Sequence, residues 1–234
     1  MINNFKQFDK INFNGGHLSS DGGAILLLSY LEKNHLLNFA NQLPFFDNRV
    51  TPTFSNSDIL TQLIYRNLLG YFNQSDQSYL LHDPLLSRYT TACSQPTVSR
   101  FFDRIHYSTN LSLKQHLQKT ACRYVNKHIE DPIIDVDSTK TETSGKQEGA
   151  SHIFHYNTKG YHPMVMNEYH SSLLLSANLR AGSAYSSNGF VEELKEVLAY
   201  LKTENKTVKL RADSAFYNTK YLEFMEEKGI VYYV

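Results

Sequence analysis

From Asp21 to about His128, apolar residues recur every three or four positions, the spacing that lays a single stripe along a helix. "SSDGGAILLLSYLEKNHLLNFANQL" opens with Ser and Asp residues suited to capping. "SNSDILTQLIYRNLLGYF" has Ser57 or Asp58 near its start and Gly70 near its end. After the turn-like "LHDPLLSRY", the segment "SQPTVSRFFDRIHY" carries Pro96 where a first-turn proline is tolerated. "NLSLKQHLQKTACRYVNKHI" then predicts another long amphipathic helix.

Near Pro132 the period shortens from that of a helix to that of a strand. "IIDVDS", "HPMVMNEYH" and "SSLLLSANLRA" read as three strands, with a Gly- and Lys-bearing loop between the first two. "NGFVEELKEVLAYLK" predicts a helix capped by Asn188, with Val191, Leu194, Val197, Leu198 and Leu201 on one face. "VKLRADS" is a strand, "NTKYLEFMEEKG" a helix stopped by Gly229, and "IVYYV" a final strand. Three strands followed by alternation predict a mixed sheet, an antiparallel hairpin or meander leading into parallel units. The expected boundary lies at residues 129–132, dividing an all-helical N-terminal region (1–130) from an α/β region (131–234).

Composition narrows the function classes. A 41% hydrophobic content over 234 residues fills a real core. Twenty-three basic residues balance twenty-three acidic ones, so any nucleic-acid contact must come from a local patch. Cys93 and Cys122 form neither a metal spacing nor a disulfide framework, which suits a reducing compartment. The start "MINNFKQFDK" lacks the apolar core of a signal peptide, and "AILLL" is far too short to span a bilayer. The expectation is a cytoplasmic protein without a membrane partner.

Chemistry concentrates in the acids of the second half. Asp135 and Asp137 stand two apart in a strand, so both project to one side of the sheet, where like charges repel unless a cation lies between them. Asp213 ends another strand, at the position where ligands gather in sheets with parallel strands. If those two strands are neighbours, Asp137 and Asp213 can share a divalent cation such as Mg2+, which prefers oxygen ligands. Two such ions about 4 Å apart activate the attacking oxygen and stabilise the leaving one in phosphoryl transfer.

His152, His155, His162 and His170 have no Cys or Glu at a helical ligand spacing and are expected on loops or strand surfaces rather than around zinc. Ser138, Ser214 and Cys93 lack an elbow motif, and "NGGH" and "DGGA" do not make a phosphate loop. Thr97, Ser99, Arg100 and Arg104 sit near a helix start and could donate to DNA phosphates. The competing reading puts Phe101, Phe102 and Ile105 in the core and leaves the charges to water.

These pieces resemble the DDE transposases of bacterial insertion sequences, most of all the thirteen-eighty group. The matching stretches are "DVDSTKTETSGKQEGA", "YNTKGYHPMV", "LLLSANLRAGSAYSSNGFVEELKEVL" and "LRADSAFY", in family order, with "LHDPLL" and "SQPTVSRF" upstream. The resemblance implies a ribonuclease H-like mixed sheet and two divalent ions, Mg2+ or Mn2+, held by Asp, Asp and Glu. It also implies a double-stranded DNA partner, both transposon ends and target, and allows a homodimer. The first acid matches Asp137, with Asp135 as the alternative, and the second matches Asp213.

The family's catalytic Glu lies on a helix after the strand that "IVYYV" begins. Glu223, Glu226 and Glu227 come too early to match it. The expectation is therefore a C-terminally truncated transposase, inactive alone. The alternative is a non-catalytic DNA-binding or interaction protein derived from one, and an unrelated metal-dependent nuclease or hydrolase is a third reading.

Overall fold

The computed structural model describes residues 15, 18–84, 86, 92–203 and 206–234. The opening "MINNFKQFDK" and part of the turn-like "LHDPLLSRY" lie outside the described residues. The chain forms two compact units, Met1–Leu113 and Lys114–Val234.

Every regular element described in the first unit is helical: α1 (Ala24–Lys33), α2 (Asn56–Leu68), α3 (Gln77–His82), α4 (Gln95–Phe102) and the start of α5 (Tyr107–His128). Two apolar clusters hold it. Ile25, Leu28, Leu31, Tyr65, Leu80 and Leu86 form one; Ile59, Leu63, Cys93, Val98 and Phe101 form the other. The buried Tyr65 hydroxyl donates to the Ala24 carbonyl at 3.0 Å, so the ring's polar end is satisfied. Buried Gln62 and Gln77 serve the backbone of Cys93, the first accepting its N–H and the second donating to its carbonyl.

Ser55, rather than Ser57, caps α2, its hydroxyl accepting from the Asp58 N–H while Asp58 accepts from the Ser55 N–H. No side chain caps α1. Ser19 donates to Asp83, and Asp21 accepts from Tyr71. Phe101 is buried as expected, but Phe102 is 52% exposed, because the adjacent position is rotated about 100° around a short helix and leaves the buried stripe.

The division between the units falls inside α5, ahead of the period change in the sequence, because Ala121, Cys122 and Val125 pack into the second unit's core. That unit is α/β. A five-stranded sheet contains β1 (Ile133–Ser138), β5 (Met164–Glu168), β6 (Leu174–Asn178), β7 (Lys209–Arg211) and β8 (Val231–Tyr233), in the order β6-β5-β1-β7-β8. β1 runs antiparallel to β5 and β5 to β6, while β1–β7 and β7–β8 are parallel, as the three-strand run and later alternation predict.

The helices α6 (Phe190–Leu198) and α7 (Thr219–Glu227) contribute Phe190, Leu194, Val197 and Met225 to a core shared with Ile134, Val136, Met164, Met166, Leu175 and Leu210. Gly189, at φ +79°, occupies the position before α6, so Asn188 is not its cap. Asn218 caps α7, and Gly229 ends it at φ +65°.

The segment expected to be a loop contains a second sheet, β2 (Thr141–Glu142), β4 (Thr158–Tyr161) and β3 (Ser151–Ile153), paired antiparallel in that spatial order. Its glycine is not a turn marker. A Cβ on Gly160 would fall inside the Thr141 carbonyl oxygen and 2.9 Å from Glu142 Cα, so its bareness lets β2 approach β4.

Candidate active site

The pleat of β1 buries Ile134, Val136 and Ser138 and turns Asp135 and Asp137 to the other face. In the parallel register with β7, Ile133 lies opposite Lys209 and Asp135 opposite Arg211. The paired stretch and β7 both end at Arg211, and Asp213 follows two residues beyond, at the start of a turn. Asp137 and Asp213 both line a cleft of about 610 Å³. It lies toward the C-terminal ends of two adjacent parallel strands, with Asp137 still paired to Val165 of β5 on the other side.

The three acids have different fates. Arg211 holds Asp135 bidentately, Nε to Oδ1 at 2.6 Å and a terminal nitrogen to Oδ2 at 2.7 Å, and lies 4.3 Å from the Tyr169 ring centroid. The hydrogen bond to Asp135 raises the guanidinium's pKa above its ordinary value. Thus the cation beside the "DVD" pair is a side chain, and it is committed to Asp135.

Asp137 and Asp213 are left open. Asp137 Oδ1 accepts from the Ser138 N–H at 2.7 Å, and Asp213 Oδ1 accepts from the Ala215 N–H at 3.0 Å. The other oxygen of each carboxylate makes no hydrogen bond among the described residues, and neither acid is in an ion pair there. The local turn explains this for Asp213, which begins the short 3-10 helix Ser214–Phe216 and caps it with one oxygen.

Arg180 braces residues of the cleft wall. Its guanidinium donates to the carbonyls of His162, Ser186 and Asn188 at 2.9, 2.8 and 2.7 Å and to Ser138 Oγ at 2.8 Å. These bonds tie the 182–188 loop to the end of β1, beside Asp137. Burial pulls the Arg180 pKa down against the opposing attraction of Glu193. His162, expected on a loop or strand surface, is 4% exposed, its Nδ1–H donating to the Ala184 carbonyl at 2.8 Å. Phe154, His155, Tyr156 and Tyr185 also line the cleft. Sequence reasoning passed over Arg180 and Arg211. For Arg211 a signal existed: in "LRAD" it stands two before Asp213 and therefore shares its face.

Among the described residues no group of three or more His, Cys, Asp or Glu side chains is arranged to hold a metal ion. The donor chemistry of the pair, two unneutralised carboxylate oxygens on one cleft, suits a hard oxygen-preferring cation.

The four expected phosphate contacts belong to the first unit. Ser99 and Arg100 are exposed, and the Thr97 hydroxyl is 3.0 Å from that of Ser94. Arg104 is engaged internally, its Nε donating to Asn56 Oδ1 at 2.7 Å and a terminal nitrogen to the Arg100 carbonyl at 2.9 Å. Asn56 in turn donates to Asp47, which Arg49 holds well below the usual carboxylate range. No helix among the described residues is long and apolar enough to cross a membrane.

The model of the family "Transposase DDE domain group 1" matches residues 5–234. The chain belongs to that family. The matched range takes in both the "DVDST" and the "LRADS" stretches.

No curated protein matches by sequence. Solved structures are similar at low identity, among them three transposase complexes. The piggyBac transposase synaptic complex with hairpin DNA has 11% identity and a TM-score of 0.43, over 89% of this chain and 49% of that one. The Drosophila P element transposase strand transfer complex has 12% identity and a TM-score of 0.42, over 88% and 43%. The Mos1 transposase paired-end complex with left transposon end has 12% identity and a TM-score of 0.29, over 80% and 60%. The chain thus spans roughly half of the length of these proteins.

Proposed function

We propose that the second unit is a ribonuclease H-like transposase catalytic region in which Asp137 and Asp213 bind Mg2+ or Mn2+ and act on double-stranded DNA. The observation that carries this reading is the contrast among the three acids. Asp135 is closed by Arg211, whereas Asp137 and Asp213 each keep an oxygen free on the same cleft. This choice makes Asp137 the metal ligand and Asp135 a residue that steadies β7 against β1.

A bound divalent ion supplies Lewis acidity to a phosphodiester and lowers the pKa of coordinated water. The chain's own residues hold the geometry. Backbone N–H groups fix one oxygen of each acid, Arg180 holds the adjoining loop, and His162 offers a ring within the wall. Among the described residues no third acid joins the pair, so the ligand set is partial. Strand cleavage and transfer would require further oxygen donors, from another segment, another chain or the DNA phosphates. We therefore expect this chain alone to be inactive in strand transfer.

The thirteen-eighty group of insertion sequences remains our assignment within the family, with transposon ends and target DNA as partners and a homodimer as the assembly. The partial ligand set also keeps a second reading in play, a DNA-binding protein derived from a transposase that does not itself cut.

Mn2+ titration followed by water-proton relaxation tests the site. Asp137→Asn and Asp213→Asn should each abolish Mn2+ binding, while Asp135→Asn should leave it within a fewfold of the parent. Undiminished binding by Asp137→Asn or Asp213→Asn would overturn the assignment, and so would loss confined to Asp135→Asn. Full strand transfer by the unaccompanied chain would refute the partial-site argument.

A further inference from the structure

The helix α5 contains no Asp or Glu in its 22 residues, although the chain as a whole is neutral. It carries Lys114, Lys119, Arg123 and Lys127. Lys114 turns inward and is paired with Glu193 and Glu196, each at 2.7 Å. The other three stand at i, i+4 and i+8, all exposed and without an ion pair among the described residues. At 1.5 Å rise per residue they form a row about 12 Å long on one flank.

That row lies opposite the buried side of the helix, where Ala121, Cys122 and Val125 enter the core. His116 is next to it, with Thr120 3.5 Å away. Burial, then the charges of Arg123 and Lys119, lower the His116 pKa. Like charges at i, i+4 destabilise a helix, and an ordinary solvated face intersperses both signs. A polyanion gives such a row a use.

We propose that the Lys119–Arg123–Lys127 face of α5 binds the phosphate backbone of duplex DNA without reading its sequence. This deepens the transposase reading by naming a contact surface, and it rests on that reading for the choice of partner. A DNA strand offers one phosphate per roughly 3.4 Å of axis, so a 12 Å row spans about three. A membrane surface fits less well, since an interfacial helix needs an apolar face to insert and this helix has committed its own to the core. The surface also differs from the candidates on and just after α4, of which Arg104 is tied to Asn56.

The test is fluorescence anisotropy of the full chain with 30-bp duplexes of two unrelated sequences, between 50 and 200 mM salt. Each neutralised phosphate adds about 0.9 to the slope of log K against log salt. The triple variant Lys119→Gln, Arg123→Gln, Lys127→Gln should lower that slope by about 2.7 on both duplexes. The parent should therefore lose about 40-fold more affinity than the variant across this fourfold salt range. Each single Gln variant should remove about 0.9, and the charge-conserving triple (Lys119→Arg, Arg123→Lys, Lys127→Arg) should restore the parent slope.

Any of four results would overturn the proposal: no duplex binding by the parent at 50 mM salt, a slope change below about 1 in the triple variant, a loss confined to one sequence, or tighter binding to phosphatidylserine vesicles than to DNA. Mn2+ binding measured on the same variants should be unchanged. In turn, Asp137→Asn should leave the salt slope intact, so failure of either reading is distinguishable from failure of the other.

Discussion

Glu168 is a buried acid with no cationic partner among the described residues, and replacing it by Gln probes how the β5–β6 hairpin is held. The side chain is 0% exposed. Oε2 accepts from the Ser171 N–H at 2.7 Å and the Ser171 hydroxyl at 2.6 Å, while Oε1 accepts from the N–H groups of His170 at 3.2 Å and Ile133 at 3.4 Å. Burial works against the charge, but these donors outweigh it and hold the pKa below its ordinary 4.5.

A glutamine amide cannot accept at both ends. Its nitrogen should take the Oε1 side, giving up the two longer bonds, facing two N–H donors and weakening the remaining pair by loss of charge. Hydrogen bonds to charged groups contribute about 1.5–3 kcal/mol each, and the two longer ones here belong at the low end, so Glu168→Gln should cost about 2–3 kcal/mol at pH 7.

Because the folded pKa is the lower one, this stabilisation is complete above the unfolded value of 4.5 and is lost as pH falls through the folded value. Urea unfolding from pH 7 down to pH 3 should therefore show the parent and Glu168→Gln curves converging below pH 4.5. A pH-independent gap, or one under about 0.5 kcal/mol at pH 7, would refute the hydrogen-bond accounting.

Three further outcomes follow from the packing. Gly160→Ala should cost about 3 kcal/mol or detach β2 from β4, read as faster hydrogen exchange at the Thr143 amide that bonds to the Lys159 carbonyl. Lys114→Met leaves Glu193 buried with its Ser176 and Asn178 donors but without its cation. It should cost about 2 kcal/mol in thermal unfolding, less than a fully buried pair because Lys114 is partly exposed. Arg123→Glu should raise stability by about 0.5–1 kcal/mol at low salt, by replacing two like-charge pairs on α5, while it weakens duplex binding.

Legibility in the sequence followed the locality of the cause. The parity of Asp135 and Asp137, the strand ahead of Asp213 and the helix Thr219–Glu227 depend on residues within a few positions, and their patterns show directly, although that strand stops at Arg211 and leaves Asp213 in the turn that follows. Arg211 against Asp135 depends on the register of two strands 76 residues apart, which no local window contains. The small sheet was hidden for a different reason. Gly160 is an ordinary turn signal locally, and only the backbone opposite it turns the glycine into a strand requirement. Ser55 and Gly189 show the limits of cap reading, since several Ser, Asn and Gly residues cluster at each helix start and the geometry selects one.

The parallel pairing of β1 with β7 also has a kinetic meaning. Neither Asp137 nor Asp213 belongs to a site until a loop of some 75 residues has closed, and such non-local contacts form slowly and late. A chain still being synthesised, or one whose β7 has come away, carries isolated carboxylates with no shared cleft. On the proposed reading of the site, cation capture would be coupled to completion of the sheet, and a partly folded molecule would lack the paired acids.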